Sequence, residues 1–235
     1  MSKIIRLQPK KEIISIGVIA AARMTSVRFP GKVMANLLGK PVAQWTLERA
    51  KQIRGPKTAK IKVILAVPDT PESEPLLQLA TSLNIDNFCG SELNVLRRYY
   101  EAAIFFKFNY IMRITCDCPF LDPIVCSQVL QLCMWRKLDY ASNVYPRRTY
   151  PKGLDCECFS FDCLEACYKL TDMLSDFEHV TPWMQRTKEL LTGNVVQKVD
   201  QSEKNWCVDY PEDIERLEKE AQRNQLMLIG ANENE

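Results

Sequence analysis

The chain has 235 residues, 46% of them hydrophobic and 26% charged, with a formal net charge of +2 at pH 7. That composition supports one full hydrophobic core and excludes a disordered chain, and no apolar run approaches the about 20 residues of a membrane span. Met1 to Glu12 lacks the apolar centre of a signal peptide, and the small net charge without an aromatic-interleaved basic stripe excludes nucleic acid and membrane as partners, so a soluble, cytoplasmic protein is expected.

In chain order, Ile13 to Ile19 is a short β-branched apolar run that reads as a buried strand, and Pro41 to Arg54 reads as a helix. The loop between them, Ala20-Ala21-Ala22-Arg23-Met24-Thr25-Ser26-Val27-Arg28-Phe29-Pro30-Gly31-Lys32, places three cations within ten residues. It leaves the carboxyl end of a central strand, where open α/β sheets bind ligands. Small residues at Ala20 and Ala22 let a nucleotide lie against backbone amides, while Arg23, Arg28 and Lys32 neutralise phosphates. A basic surface loop is the competing explanation.

A strand is expected at Ile61 to Val67, a helix at Glu72 to Leu83, a short strand at Asp86 to Phe88 and a helix from Ser91 to Phe106. The strand Tyr110 to Thr115 ends in Cys116-Asp117-Cys118-Pro119, and a helix follows from Asp122 or Pro123 to Lys137. Beyond Tyr140 come a basic turn at 147–153, a strand at Leu154 to Phe159, helices at Asp162 to Lys169 and Glu178 to Leu190, strands at Asn194 to Val199 and Trp206 to Val208, and a helix at Pro211 to Ala221. The tail Gly230 to Glu235 is expected to fray. The alternation predicts an α/β domain with a mostly parallel sheet covered by helices on both faces. No internal repeat or linker divides residues 1–235, which read as a single domain.

The ten cysteines do not fall into the paired knuckles of a zinc site. Cys116/Cys118 and Cys156/Cys158 sit two apart on strand-like segments and Cys163/Cys167 four apart on a helix, so each pair shares a face as small packing residues do, and reduced thiols are expected. Two carboxylates stand out. Asp117 and Asp209 each end an apolar strand and can reach one hard cation that bridges phosphates, although Asp209, before Tyr210-Pro211-Glu212-Asp213, also suits a helix cap. Two metal-binding carboxylates beside an Arg/Arg/Lys loop suit phosphoryl or nucleotidyl transfer, where charge neutralisation carries the catalysis. His179, the single histidine, reads either as a hydrogen-bonded residue near a helix start or as a ligand contact.

The strings AARMTSVRFPGKVM, LGKPVAQWTLERA, GSELNVLRRYYEAA, RITCDCPFLDP, YPKGLDCECFSFDCLE, EHVTPWM and VDYPEDIERL occur in the order found in cytidylyltransferases of the spore-coat polysaccharide type. The chain resembles that family, relatives of the CMP-sialic acid, CMP-pseudaminic acid and CMP-KDO synthetases, from about Ile14 to Leu217. The resemblance implies a Rossmann-like nucleotidyltransferase fold of the glycosyltransferase-A type, transfer of CMP from CTP to a sugar-acid hydroxyl with release of pyrophosphate, magnesium as cofactor, a role in polysaccharide biosynthesis and a homodimer. Position by position it assigns Ala22, Arg23, Ser26, Arg28, Gly31 and Lys32 to the triphosphate, Gly90, Ser91 and Glu92 to the cytosine side, and Asp117 and Asp209 to the metal. Arg23, Lys32, Asp117 and Asp209 form the implied catalytic set. Asp155 and Glu157 are implied sugar contacts, with Arg113, Arg148, His179 and Thr181 beside them.

Thr25, Val27, Asn94 and Cys116 depart from the family pattern, Thr25 and Cys116 by replacing glycines. The alternatives are a non-catalytic nucleotide or sugar binder and a nucleotidyltransferase for another sugar or polyol. Between Tyr145 and Trp183 a run of aromatics interrupts the βα alternation, and an excursion at 145–190 is expected to bind sugar and to pack on a two-fold partner, or to fold back as a lid.

Overall fold

A computed structural model describes residues 13–224; the N-terminal segment 1–12 and the tail expected to fray lie outside the described residues. The strand β1 (Ile14–Ala21) occupies the centre of the sheet. Its side chains alternate as an extended backbone requires, Ile16, Val18 and Ala20 entering one core and Ile19 the other. Gly17 lies directly over Phe108, whose ring would stand 2.1 Å from any Cβ added there, so a larger residue would drive the ring out of the core.

The strands β4 (Ala59–Pro68) and β6 (Tyr110–Thr115) flank β1 in parallel, and β5 (Asp86–Gly90) extends the sheet beyond β4. On the other side β8 (Glu157–Ser160) runs antiparallel between β6 and β7 (Tyr140–Ser142), and β9 (Thr192–Asn194) closes the edge, giving the order β5-β4-β1-β6-β8-β7-β9. A hairpin of β2 (Asn36–Leu37) and β3 (Lys40–Pro41) stands apart. Its turn residues Leu38 and Gly39 both have positive φ, as a tight two-residue loop demands.

The helices α1 (Val42–Ala50), α2 (Glu74–Ser82), α4 (Pro123–Trp135) and α8 (Glu212–Asn224) cover one face, contributing Leu47, Leu76, Val129 and Leu217 to its core. The helices α3 (Val95–Phe106), α5 (Phe161–Leu170), α6 (Leu174–His179) and α7 (Pro182–Arg186) cover the other, around Tyr99, Leu164 and Met184. Side chains cap three of these helices. Asn94 accepts from the Arg97 amide at 2.7 Å, Asp122 from the Ile124 amide at 2.7 Å and Ser160 from the Cys163 amide at 3.1 Å. The family departure at Asn94 therefore still serves a helix start. Among the described residues no helix is long and apolar enough to cross a membrane. All ten cysteines are free thiols, and all but Cys89 are buried, as packing residues are.

Several expectations are corrected. One helix over Glu178 to Leu190 becomes two short ones, because Val180 adopts φ 72° and Pro182 then opens α7. The strand expected at 154–159 begins only at Glu157, and that at 194–199 is the shorter Thr192–Asn194. Residues 206–208 form no ladder strand; they are pinned at intervals, the Trp206 amide to the Lys152 carbonyl at 2.6 Å and the Val208 amide to the Asp117 carbonyl at 2.9 Å. The aromatic run between Tyr145 and Trp183 is no coreless excursion. Phe159 is fully buried in β8, Tyr168 stacks on Tyr100 at 4.4 Å, and Tyr145, Phe161, Phe177 and Trp183 pack on the second core. The segment therefore packs on the chain's own core instead of standing clear of it.

Candidate active site

The loop leaving β1 turns back on itself. The Gly31 amide donates to the Met24 carbonyl at 2.8 Å, and Gly31 itself takes φ 71°, a conformation that favours glycine. The turn delivers Lys32 into a short 3-10 segment, Lys32–Met34, with its side chain aimed under the loop. Above the carboxyl ends of β1 and β6 lies a cavity of about 490 Å³. Its wall includes Ala22, Arg23, Ser26, Arg28 and Lys32 from the loop, and Arg113, Asp117, His179 and Asp209 from the rest of the chain. A cavity of about 540 Å³ at the opposite end of the strands is lined by Lys51, Arg54 and Lys62, with Lys62 paired to Asp86 at 2.6 Å.

The electrostatic centre is Lys32. Its Nζ donates to Asp117 Oδ2 at 2.6 Å and to Asp209 Oδ1 at 3.0 Å. Burial works against the Lys32 ammonium, yet the two carboxylates outweigh it and hold its pKa above the ordinary lysine value. Asp209 gathers two further cations, Arg28 Nη2 at 2.6 Å and Lys152 Nζ at 3.2 Å. Burial alone would raise its pKa, but Lys32 and Lys152 hold it below the usual carboxylate range. The Asp209 carboxylate is engaged by Arg28, Lys32 and Lys152 rather than by a helix-start amide, and it is the Asp213 carboxylate that accepts from the amides of Asp209 and Tyr210, at 2.7 and 2.9 Å. The sequence gives no sign of Lys152, which reaches Asp209 because Gly153, at φ 101°, lets residues 152–153 press against the Trp206 backbone.

Beneath the cavity a buried network joins β6, β7, β8 and α7. Arg113 Nη1 donates to Glu157 Oε2 at 2.6 Å, and Glu157 Oε1 accepts from the Tyr140 hydroxyl at 2.6 Å and from Gln185 at 3.1 Å. Glu157 is thus no free ligand but the group that orients Arg113. Asp155 is likewise taken, in a bidentate pair with Arg148 at 2.5 and 2.8 Å, and neither residue lines the cavity. Ala20 is fully buried in β1, facing the core rather than a ligand. Gly90 and Ser91 lie outside the cavity wall, and Glu92 accepts a hydrogen bond from Thr25 at 2.8 Å.

Sequence reasoning missed Arg98. It lies 2% exposed in the cavity wall, donates to the Ser91 carbonyl at 2.9 Å, leaves its Nε without a partner and has no carboxylate at ion-pair distance among the described residues. Burial lowers its pKa. A buried guanidinium without a counter-charge suits an anion or an electron-rich base edge. In sequence nothing separates Arg98 from Arg97, its exposed neighbour in the doublet. His179 reaches the wall through a γ-turn at Val180, closed by the Thr181 amide donating to the His179 carbonyl at 2.9 Å. That backbone is strained for a β-branched residue. Thr181 is buried behind it.

Residues 17–233 match the family model described as cytidylyltransferase. An uncharacterised protein of Methanocaldococcus jannaschii is 32% identical over 176 residues, 74% of this chain and 68% of that protein. The spore coat polysaccharide biosynthesis protein SpsF of Bacillus subtilis is 26% identical over 168 residues, 71% of this chain and 68% of its own length. Among solved structures, a cytidylyltransferase from Leptospira borgpetersenii superposes with a TM-score of 0.83 at 24% identity, covering 89% of this chain and 87% of that one. A CMP-2-keto-3-deoxy-manno-octonic acid synthetase complexed with CTP superposes at 0.66 and 17% identity, over 89% and 99%. These two likenesses confirm the nucleotidyltransferase fold, mostly parallel with helices on both faces.

Proposed function

This chain belongs to the cytidylyltransferase family, and we propose that it transfers CMP from CTP to a hydroxyl of a sugar acid in surface-glycan assembly, with Lys32, Asp117 and Asp209 at the reaction centre. The observation that carries the reading is the convergence of both carboxylates on one cationic point, Lys32 Nζ, at the mouth of a basic cavity. A protein with CTP as substrate needs there both a phosphate cradle and oxygen ligands for a hard cation.

The roles follow from position. Ala22, Arg23, Ser26, Arg28 and Lys32 face the triphosphate, and Arg98, tied to Ser91, faces the nucleoside side. Arg113, held by Glu157, presents its guanidinium to the carboxylate of the acceptor, with His179 on the wall beside it. Asp117 and Asp209 fit magnesium, since their oxygens lie within 3.0 Å of one shared cation. Held there with phosphate oxygens, magnesium would neutralise charge at the α-phosphate and make the acceptor hydroxyl more acidic. Arg28 and Lys32 then stabilise the departing pyrophosphate, and in-line attack needs no covalent enzyme intermediate. The sugar-acid synthetase among the structural neighbours supports a sugar-acid acceptor, and the spore-coat relative supports a role in polysaccharide biosynthesis.

A homodimer completes the proposal, supported by the exposed apolar side chains Leu170, Met173 and Leu174 between α5 and α6. Pyrophosphate release by the purified protein with CTP, magnesium and a panel of ulosonic and nonulosonic acids tests the reaction. Release with none of the acids, or equal rates with neutral sugars and polyols, would reject the acceptor class.

A further inference from the structure

The cation between Asp117 and Asp209 is Lys32 itself. Its ammonium lies 2.6 Å from one carboxylate and 3.0 Å from the other, inside a pocket that leaves the residue only 9% exposed. An ammonium and a divalent cation cannot share that space, because two positive charges in contact repel strongly in a partly dry site. The surroundings are already over-neutralised, with Arg28 and Lys152 also on Asp209. Among the described residues no group of three or more His, Cys, Asp or Glu side chains gathers to hold a metal. The protein alone thus offers two carboxylates, both spoken for, which is too little for a hard cation that wants an oxygen shell.

We propose that Lys32 is an internal stand-in for the divalent cation, so that the metal is admitted only together with a triphosphate that draws the ammonium off Asp117 and Asp209. The backbone at Lys32 is fixed by the Gly31 turn and by its amide donating to the Phe29 carbonyl at 3.1 Å, so the exchange is a swing of the flexible four-carbon stem. A triphosphate in the loop supplies the negative charge that Lys32 and Arg28 lose when they leave the carboxylates. Metal and nucleotide affinities are then strongly coupled, and by linkage each raises the other by the same factor.

The inference rests on reading Asp117 and Asp209 as the cation ligands, but its test needs neither sugar nor turnover. Binding of Mn²⁺ is followed by loss of the free-ion EPR signal. Nucleotide-free wild type should bind Mn²⁺ no tighter than millimolar, and by linkage the protein should bind CTP about a hundredfold tighter with saturating Mn²⁺ than without it, in calorimetric titration, since free CTP itself chelates Mn²⁺. Lys32→Met without nucleotide should gain about tenfold over wild type, and Asp117→Asn added to that variant should abolish the gain. Micromolar Mn²⁺ binding by nucleotide-free wild type overturns the proposal, as does a folded Lys32→Met with no gain. Should Lys32→Met fail to fold, Lys32→Gln carries the same readout, and the wild-type comparison stands without either variant. Absence of CTP binding would reject the nucleotide reading, whereas the nucleotide-free arms decide the role of Lys32 either way.

Discussion

Replacing Glu157 by leucine leaves the Arg113 guanidinium in the protein interior without its counter-charge. In the intact chain Glu157 is 3% exposed and accepts from Arg113 at 2.6 Å, Tyr140 at 2.6 Å and Gln185 at 3.1 Å. Removing one partner of a buried ion pair costs about 3–5 kcal/mol, because the surviving charge stays desolvated. The Arg113 side chain keeps 20% exposure toward the cavity, which lets water screen part of that penalty, so the lower end, about 3 kcal/mol, applies here. For a chain of this size each kcal/mol moves the melting temperature by about 2–4 °C, and Glu157→Leu should melt about 6–12 °C below wild type in thermal and urea unfolding followed by tryptophan fluorescence. The double variant Arg113→Met/Glu157→Leu removes the stranded charge and should recover at least about 1.5 kcal/mol. A drop of less than about 2 °C for Glu157→Leu, or a double variant as unstable as the sum of the singles, would refute the assignment of Glu157 as the electrostatic support of Arg113.

Asp117→Asn and Asp209→Asn should each lower turnover by about a thousandfold or more while CTP is still retained; near-normal turnover of either at saturating magnesium would remove both from the reaction centre. Lys32→Ala should weaken CTP binding by about 2–4 kcal/mol; Arg23, 45% exposed and 3.9 Å from Glu178, should contribute about 1 kcal/mol or less, and calorimetric titration showing the reverse order would reassign the loop. Gly153→Ala would place a Cβ 2.7 Å from the Trp206 carbonyl carbon at φ 101°, so a loss of more than about 2 kcal/mol in urea unfolding is expected, and a change within 0.5 kcal/mol, roughly the scatter of surface substitutions, would refute it. Burial pushes the thiols of Cys116, Cys156, Cys158 and Cys163 up from the ordinary value of 9.0, so they stay protonated in the folded chain where the unfolded chain ionises. Their contribution is complete below pH 9 and is lost as pH rises through the folded values, so the urea midpoint should fall between pH 8 and pH 10; a midpoint constant over that range would contradict it.

The sheet was legible because its central strands are short, apolar and punctuated. Ile14–Ala21, Ala59–Pro68 and Tyr110–Thr115 fall within a few residues of the expected runs, and Asp122 marks a helix start that the structure caps with that side chain, whereas the helices expected from Ser91 and Asp162 begin at Val95 behind Asn94 and at Phe161 behind Ser160. Short pieces whose register is set by distant partners were not legible. Neither Tyr140–Ser142 nor the 36–41 hairpin carries a periodic signal, and the break at Val180 requires a conformation that valine ordinarily avoids. In the cavity wall, the loop cations and the two aspartates were visible as charges at strand ends. Lys152 and Arg98 were not, since one reaches Asp209 only through a glycine pressed on a neighbouring backbone and the other looks in sequence like half of an exposed arginine doublet.

Thr25 and Cys116 stand where the family pattern places glycine, and the structure supplies the reason that each is accommodated. A glycine is irreplaceable where φ is positive or where another group presses on Cα. Neither Thr25 nor Cys116 is among the described residues with positive φ, whereas Gly31 in the same loop is. Thr25 turns its hydroxyl outward to Glu92 at 2.8 Å, so its side chain ties the loop to the segment after β5 instead of filling the cavity. Cys116 is fully buried in the first core, with its amide donating to the Ala21 carbonyl at 3.0 Å, so its sulfur packs behind the site while Asp117, the next residue, faces Lys32. Both substitutions leave the cations and carboxylates in place, and the charge arrangement that the proposed transfer needs survives them.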